Sequence, residues 1–598
     1  MASRLIIFVL IVIACCNAFA LQQSDMNDPE VYILSKKNIS DLDLVIEKAK
    51  SFKKKGLPVV ADNWMVVTAN FQASSVAAKI LNQGGTAVDA MVAAQAVLGL
   101  VEPESSGLGG GAFLLYYNSR TKKLTSLDGR ETAPLHATST MFLDKNGDVI
   151  KFIDAVVGAR SVGVPGIPAL LENAHLRWGK LKWPLLFKDA IGLADSGFLV
   201  SQKLSSSVKK QSDSIKKIKR TRDYFFSDNQ PIEAGQLLQN KAYADTLRKI
   251  SKYGSSIFYS GEIADDIVST IENDDINPGL LSKKDLLLYE VKERKPICSF
   301  YHDHEVCGMG PPSSGALTIN QILGMIENFP ISDLGPSNPK TWRIIGDASR
   351  LAFADRALYI ADSDFVFVPV QELLNKKYLN DRSKNLNTEK KIPIVRPGKL
   401  DTENSSSFSV DMSAELPSTS HISIVDMYGN VLSMTTSIEN VFGSRLMTKS
   451  GFLLNNELTD FSFKDKSNGK LVANRVAPRK RPRSSMSPTI IFQNNQPIYA
   501  LGSPGGSNII GYVLNAIIAL IDWNMNAQQA SSIPHAINKF GVFDIEVNRE
   551  IKGIKNSLEE MGYEVNLKKF FSGLNIIAIK DHLYGGSDPR REGYAIGK

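Results

Sequence analysis

Polar and apolar residues alternate along the run His421-Ile422-Ser423-Ile424-Val425-Asp426, the period of a half-buried strand. The Met427-Tyr428-Gly429 that follows has turn character, so a hairpin is predicted in which Asp426 faces Asn430. Carried back along both strands, that register sets Val425 opposite Val431, His421 opposite Thr435 and Thr419 opposite Ser437. Facing residues in such a ladder hold their Cβ atoms about 4.5–5.5 Å apart, close enough for two hydroxyls to meet. Upstream, residues 404–418 are Ser-rich with Pro417 near the end, which reads as a loop. Thr419 thus stands at the junction of a loose segment and a strand.

The same reading predicts helices over residues 73–81 and 86–100, separated by a stop at Gly84-Gly85. The glycines of 107–111 permit close backbone packing ahead of a strand over 112–117. They lack the Lys and Ser/Thr of a phosphate loop and do not open a helix. Residues 507–521 are apolar with helical character, and Gly505-Gly506 immediately precede them. Residues 36–55 are Lys-rich and read as an amphipathic helix or an arm. Residues 203–222 are rich in Lys and Arg among Ser and Ile, the pattern of a solvated helix face. There are no internal repeats.

The start of the chain carries an address. Arg4, the apolar run 5–16 and Ala18-Phe19-Ala20 together read as a secretory signal peptide, residues 1–20, removed after Ala20. The run is shorter than the ~20 residues a spanning helix needs, which favours secretion over an N-terminal anchor. Cys15 and Cys16 would leave with it. Cys298 and Cys307 remain, either paired in an oxidising compartment or as two buried thiols. Asn38-Ile39-Ser40 and Asn404-Ser405-Ser406 are glycosylation acceptors by pattern. Over 598 residues the net charge is only +7, poor grounds for nucleic-acid binding.

Several motifs run in order along the chain: Gly84-Gly85-Thr86-Ala87-Val88-Asp89-Ala90, Gly107-Leu108-Gly109-Gly110-Gly111, Arg130-Glu131-Thr132-Ala133-Pro134, Thr419-Ser420-His421, Phe442-Gly443-Ser444, Asn455-Asn456-Glu457-Leu458-Thr459-Asp460-Phe461, Ser484-Ser485-Met486-Ser487-Pro488-Thr489, Gly502-Ser503-Pro504-Gly505-Gly506 and Gly586-Ser587-Asp588-Pro589-Arg590. With them the chain, from about residue 60 to its end, resembles the γ-glutamyltranspeptidase (glutathione hydrolase) family. That resemblance implies an α/β (α+β) fold, a four-layer αββα sandwich of the N-terminal nucleophile hydrolase type. It also implies self-cleavage between Ser418 and Thr419, giving a large subunit (21–418) and a small one (419–598).

The chemistry explains why the cut matters. A Thr hydroxyl is a weak nucleophile, but an N-terminal Thr carries its own base, an α-amine with an ordinary pKa of about 7.7–8.0. The resemblance makes Thr419 the nucleophile, Ser437 its hydroxyl partner, and Gly505 and Gly506 the backbone donors for the oxyanion. Backbone N–H groups at a helix start suit that task. It assigns Arg130, Ser484 and Ser485 to a substrate α-carboxylate and Glu457 and Asp460 to its α-ammonium. An Arg fork can hold both carboxylate oxygens at once. The implied substrates are glutathione and other γ-glutamyl compounds, with water, amino acids or dipeptides as acceptors and no cofactor.

Glu439 departs from the pattern, because the family usually places Asn there. A carboxylate at that point either adds attraction for the ammonium or repels the α-carboxylate and disturbs Glu457. The alternative reading is therefore a secreted homologue that binds without turnover; a related acylase is a weaker third. Two further features point elsewhere than to chemistry. His302 and His304 share one strand face at i, i+2 but have no further ligands nearby, so no metal site is expected. His421 reads as structural, and Arg479-Lys480-Arg481-Pro482-Arg483 as a basic loop at a pocket mouth able to attract anionic substrates.

Overall fold

The computed structural model describes residues 41–400, 408–411, 418–547 and 552–598. The expected signal peptide, Asn38 and Asn404 lie outside them. Two seven-stranded antiparallel sheets form the centre. The first runs Ala595–Gly597, Met65–Thr68, Ser420–Val425, Val431–Ser437, Gly111–Asn118, Lys123–Gly129, Lys292–Arg294. The second runs Val59–Ala61, Leu583–Ser587, Asn575–Ile579, Gln496–Gly502, Thr489–Gln493, His304–Gly308, Ile297–Tyr301. Gly111–Asn118, Ser420–Val425, Val431–Ser437 and Gln496–Gly502 are called β1, β2, β3 and β4.

The helix Ala87–Val101 (α1) packs on β2 and β3 from outside the first sheet. Gly315–Ile326 (α2) lies on the second sheet, backed by Pro339–Tyr359 (α3). Ile509–Ile521 (α4) packs against β4 and α2. The order is helix, sheet, sheet, helix, the four layers expected. Every residue of α1 is buried, so it has no polar face. Its start is held instead by a capping box between Thr86 and Asp89. The helix ahead of it, Phe71–Asn82, stops where Gly84 takes a positive φ of 82°.

The hairpin has the predicted register, with Val425 opposite Val431 and His421 opposite Thr435. Its turn is tied down by Asp426, whose carboxylate accepts from Tyr428 N at 3.0 Å and from Ala87 N, at the start of α1, at 2.8 Å. The expectation of a half-buried strand is corrected: all six residues of β2 are buried. Ile422 and Ile424 join the core that contains α1. The polar set faces the second sheet, where Ser423 Oγ donates to Asn575 O at 3.0 Å and Asn575 Nδ2 donates to His421 O at 2.7 Å. Ser433 on β3 likewise donates to Leu501 O of β4 at 3.0 Å. The alternation marks a hydrogen-bonded seam between two sheets, because buried polar groups survive only where they find partners.

Two basic segments also differ from expectation. Lys480, Arg481 and Arg483 are buried, and only Arg479 is exposed. Lys480 Nζ donates to Ala473 O and Arg475 O at 2.5 and 3.0 Å, and Arg483 pairs with Asp411 at 2.7 Å. Lys203 turns inward onto two buried carboxylates rather than facing solvent. Cys298 and Cys307 face each other across antiparallel strands and form a disulfide. His302 sits in the turn between those strands at a φ of 53°, so it does not share a strand face with His304.

Candidate active site

Thr419 immediately precedes β2, buried at the end of the first sheet. Its hydroxyl lies against the carbonyl oxygen of Ser418 and 3.4 Å from Ser437 Oγ. Ser437, the last residue of β3, donates to Ser418 O at 3.1 Å and accepts from Glu439 N at 2.9 Å. A Ser hydroxyl has one proton and two lone pairs, and here all three have partners. The glycine loop brings this end of the hairpin close. A Cβ on Gly110 would lie 2.1 Å from Ser437 O, and one on Gly111 would lie 2.3 Å from a Glu131 carboxylate oxygen.

A narrow recess of about 20 Å³ opens beside Thr419. It is lined by Arg130, Thr419, Ser437, Glu439, Glu457 and Asp460, together with Ser484, Ser485 and Gly506. Residues hundreds of positions apart in the chain thus meet at one place. Gly505 stands just behind at a φ of 139°, and its Cα faces the Tyr512 ring of α4, where a Cβ would come within 2.4 Å. None of Arg479, Lys480 or Arg481 lines the recess; Arg479 and Arg481 line a separate cavity with Thr132 and Tyr289.

Arg130 is buried and fully engaged by the protein. Nη1 donates to Glu457, Nη2 to Asp460 at 2.6 Å and to Arg483 O at 3.0 Å, and Nε to Pro482 O at 3.2 Å. The expected carboxylate partner and the expected ammonium partners therefore hold each other. This follows from burial, since an isolated charge in a low-dielectric site is costly and opposite charges there pair. Behind them, Ser485 Oγ accepts from Arg356 at 2.9 Å and Ser484 Oγ from Met486 N at 3.1 Å.

Negative groups outnumber positive ones in the recess. Glu131, adjacent to Arg130 and within 3.9 Å of it, is wholly buried, and burial pushes its carboxyl up to about 7 against the pull of Arg130. Glu457 is pushed well above the ordinary carboxylate range, first by burial and then by Glu131 and Glu439 against the opposing Arg130. Glu439 is buried at a φ of 72°, and its carboxylate accepts from Asn456 Nδ2. Sequence reasoning passed over Glu131, Asn456 and Arg356. Glu131 stands inside the Arg130–Pro134 motif, whereas Arg356 carries no local mark.

His421 is buried, with its ring nitrogens 2.9 Å from Thr435 Oγ1 and 3.0 Å from Ser423 Oγ. Burial holds its pKa down to about 3, so it stays neutral and is a poor base. Among the described residues the one group with metal-ligand geometry is Cys298, Glu305 and Cys307, and its two sulfurs are bonded to each other.

The model of the gamma-glutamyltranspeptidase family matches residues 73–598. The glutathione hydrolase proenzyme of Bacillus subtilis (strain 168) is 35% identical over 552 residues, covering 90% of this chain and 92% of that protein. The crystal structure of Helicobacter pylori gamma-glutamyltranspeptidase is 36% identical, with a TM-score of 0.53 over 55% of this chain and 93% of that one. The whole fold recurs in a cephalosporin acylase from Bacillus halodurans, at a TM-score of 0.80 over 96% of this chain and 99% of that chain with 24% identity. By the length and order of these matches, the chain belongs to the γ-glutamyltranspeptidase family of enzymes.

Proposed function

We propose that the chain cuts itself between Ser418 and Thr419 and that the freed Thr419 then cleaves γ-glutamyl amides such as glutathione. The observation that carries this reading is the bridge made by Ser437, which touches both the attacking hydroxyl and the carbonyl to be attacked. In the first step Thr419 Oγ1 attacks the Ser418 carbonyl carbon. The Thr419 nitrogen leaves with a proton, which produces an ester and a free amine. Water hydrolyses the ester to a Ser418 carboxylate and restores the hydroxyl. Both sheets contain strands from before and after residue 419, so the two pieces would stay interlocked as a heterodimer.

In turnover, the Thr419 α-amine takes the hydroxyl proton as Oγ1 attacks the substrate's γ-carbonyl. The N–H groups of Gly505 and Gly506 are the assigned donors to the oxyanion, a role whose loss typically costs about 10²–10³ in rate. The substrate's own amine leaves with the proton, and water or an acceptor amine releases the γ-glutamyl group. A zwitterionic head would exchange the internal pairing for an external one, its carboxylate on Arg130 with Ser484 and Ser485, its ammonium on Glu457 and Asp460. The disulfide fits a protein that matures in an oxidising compartment, as the N-terminal segment suggests. No described helix is long and apolar enough to cross a membrane.

The test is the mass and N-terminal sequence of the purified protein, followed by glutamate release from glutathione. The expected result is a fragment beginning at Thr419, and a Thr419→Ala chain that stays uncut and inactive. Glu439 favours a second reading, a binding protein without turnover, since it adds a buried carboxylate beside the recess. An uncut wild-type chain would select that reading.

A further inference from the structure

One turn after α1 touches the chain on both sides of Thr419. Glu104 O accepts from Ser418 Oγ at 2.6 Å, and the Glu102 carboxylate accepts from Ser420 Oγ at 2.7 Å. The same turn receives the segment after β3, since Ile438 N donates to Ser105 O at 3.3 Å and Phe442 N to Glu104 O at 3.1 Å. Glu102 and Glu104 are both buried, and two buried carboxylates side by side are unstable without a cation. Lys203 supplies it. Its Nζ lies 2.8 Å from Glu102, 2.8 Å from Glu104 and 3.1 Å from Ser105 Oγ. Its backbone N–H is held by Glu592 at 3.0 Å.

The two carboxyls are shifted in opposite directions. At Glu102, burial opposes ionisation, but Lys203 and then Arg591 outweigh it and hold the pKa below the ordinary value. At Glu104 burial prevails and the pKa rises. Glu102 is therefore the stronger acceptor, and it is the one that grips the Ser420 side chain.

We infer that Lys203 and the turn Glu102–Ser105 are a positioning clamp for self-cleavage, holding Ser418 and Ser420 so that the Thr419 hydroxyl stays against the carbonyl it attacks. This inference rests on the self-cleavage proposed above. It gives a role to a lysine far off in sequence that touches none of the residues assigned to the substrate. None of the clamp residues takes part in bond making. They limit how far the backbone on either side of the reacting bond can drift, and small misplacements of reacting atoms cost rate steeply.

The test follows the full chain made by cell-free synthesis under oxidising conditions, sampled over time by mass spectrometry. Ser420→Ala removes one hydrogen bond to a charged group and should slow cutting by about ten- to a hundredfold, whereas Ser420→Thr restores it. Once cut, the Ser420→Ala protein should show kcat and KM within about twofold of wild type, a split that general misfolding would not give. Lys203→Met should slow cutting further, with its melting temperature measured alongside. Wild-type-like cutting in both Ser420→Ala and Lys203→Met would overturn the clamp and leave the self-cleavage reading standing. A wild-type chain that is folded and never cut would overturn both.

Discussion

Ser437 Oγ stands 3.1 Å from Ser418 O and 3.4 Å from Thr419 Oγ1, so one hydroxyl bridges the two ends of the proposed cut. It donates to the carbonyl oxygen, where negative charge grows during attack. Removing it should therefore affect maturation before it affects turnover. Ser437→Ala is expected to slow the appearance of the Thr419 fragment by about ten- to a hundredfold, the worth of a hydrogen bond to a developing charge. Ser437→Thr keeps the hydroxyl and should cut at close to the wild-type rate.

Glu439 raises the pKa of Glu457 and adds negative charge to the head of the recess. Glu439→Asn retains an oxygen for Asn456 and suits the left-handed backbone at φ 72°. With one like charge gone, the Glu457 pKa falls, so its ionised form is present at lower pH. The acidic limb of kcat/KM should move to lower pH, and KM for glutathione should fall. An unchanged pH profile would show that Glu439 does not act on the ammonium site.

His421 titrates near 3 in the fold because burial disfavours its charged form, against about 6.5 in an unfolded chain. Between those values the unfolded state binds more protons. The stability that neutral His421 contributes is complete above about pH 6.5 and declines as pH falls toward 3, at about 1.4 kcal/mol per unit. Denaturant unfolding at a series of pH values checks this. His421→Gln should flatten the slope in that window, whatever it does to absolute stability.

The disulfide joins residues separated by only 9 positions, which already face each other in a ladder. Cys298→Ser with Cys307→Ser should cost about 2–3 kcal/mol or less, the loop-closure value for so short a ring. The disulfide sits on the two strands at one edge of the second sheet and neither cysteine lines the recess, so cutting at Thr419 should proceed in the variant. Thermal unfolding and fragment mass measure the two effects separately.

The residues to be brought together could be named from the chain alone, because motif order and the hairpin register are local. A period of two and a tight turn place Thr419 beside Ser437 without any other part of the protein. What covers each face was not legible. The alternation along β2 reads as one wet face, yet that face is a polar seam against a sheet built from strands far off in sequence. Lys203 reads as solvated charge and Lys480 and Arg483 as part of a loop at a pocket mouth, yet each is neutralised or hydrogen-bonded by groups brought in from elsewhere. Pairing of Cys298 with Cys307 stayed open until the ladder put them opposite one another. Arg130 is the sharpest case: the sequence resemblance assigns it to a substrate carboxylate and Glu457 and Asp460 to an ammonium, yet Glu457 and Asp460 fill its fork. Periodicity reports that two faces of an element differ. Which face is buried, and which charge meets which, depends on long-range packing, where a buried ion is tolerated only beside its counter-ion.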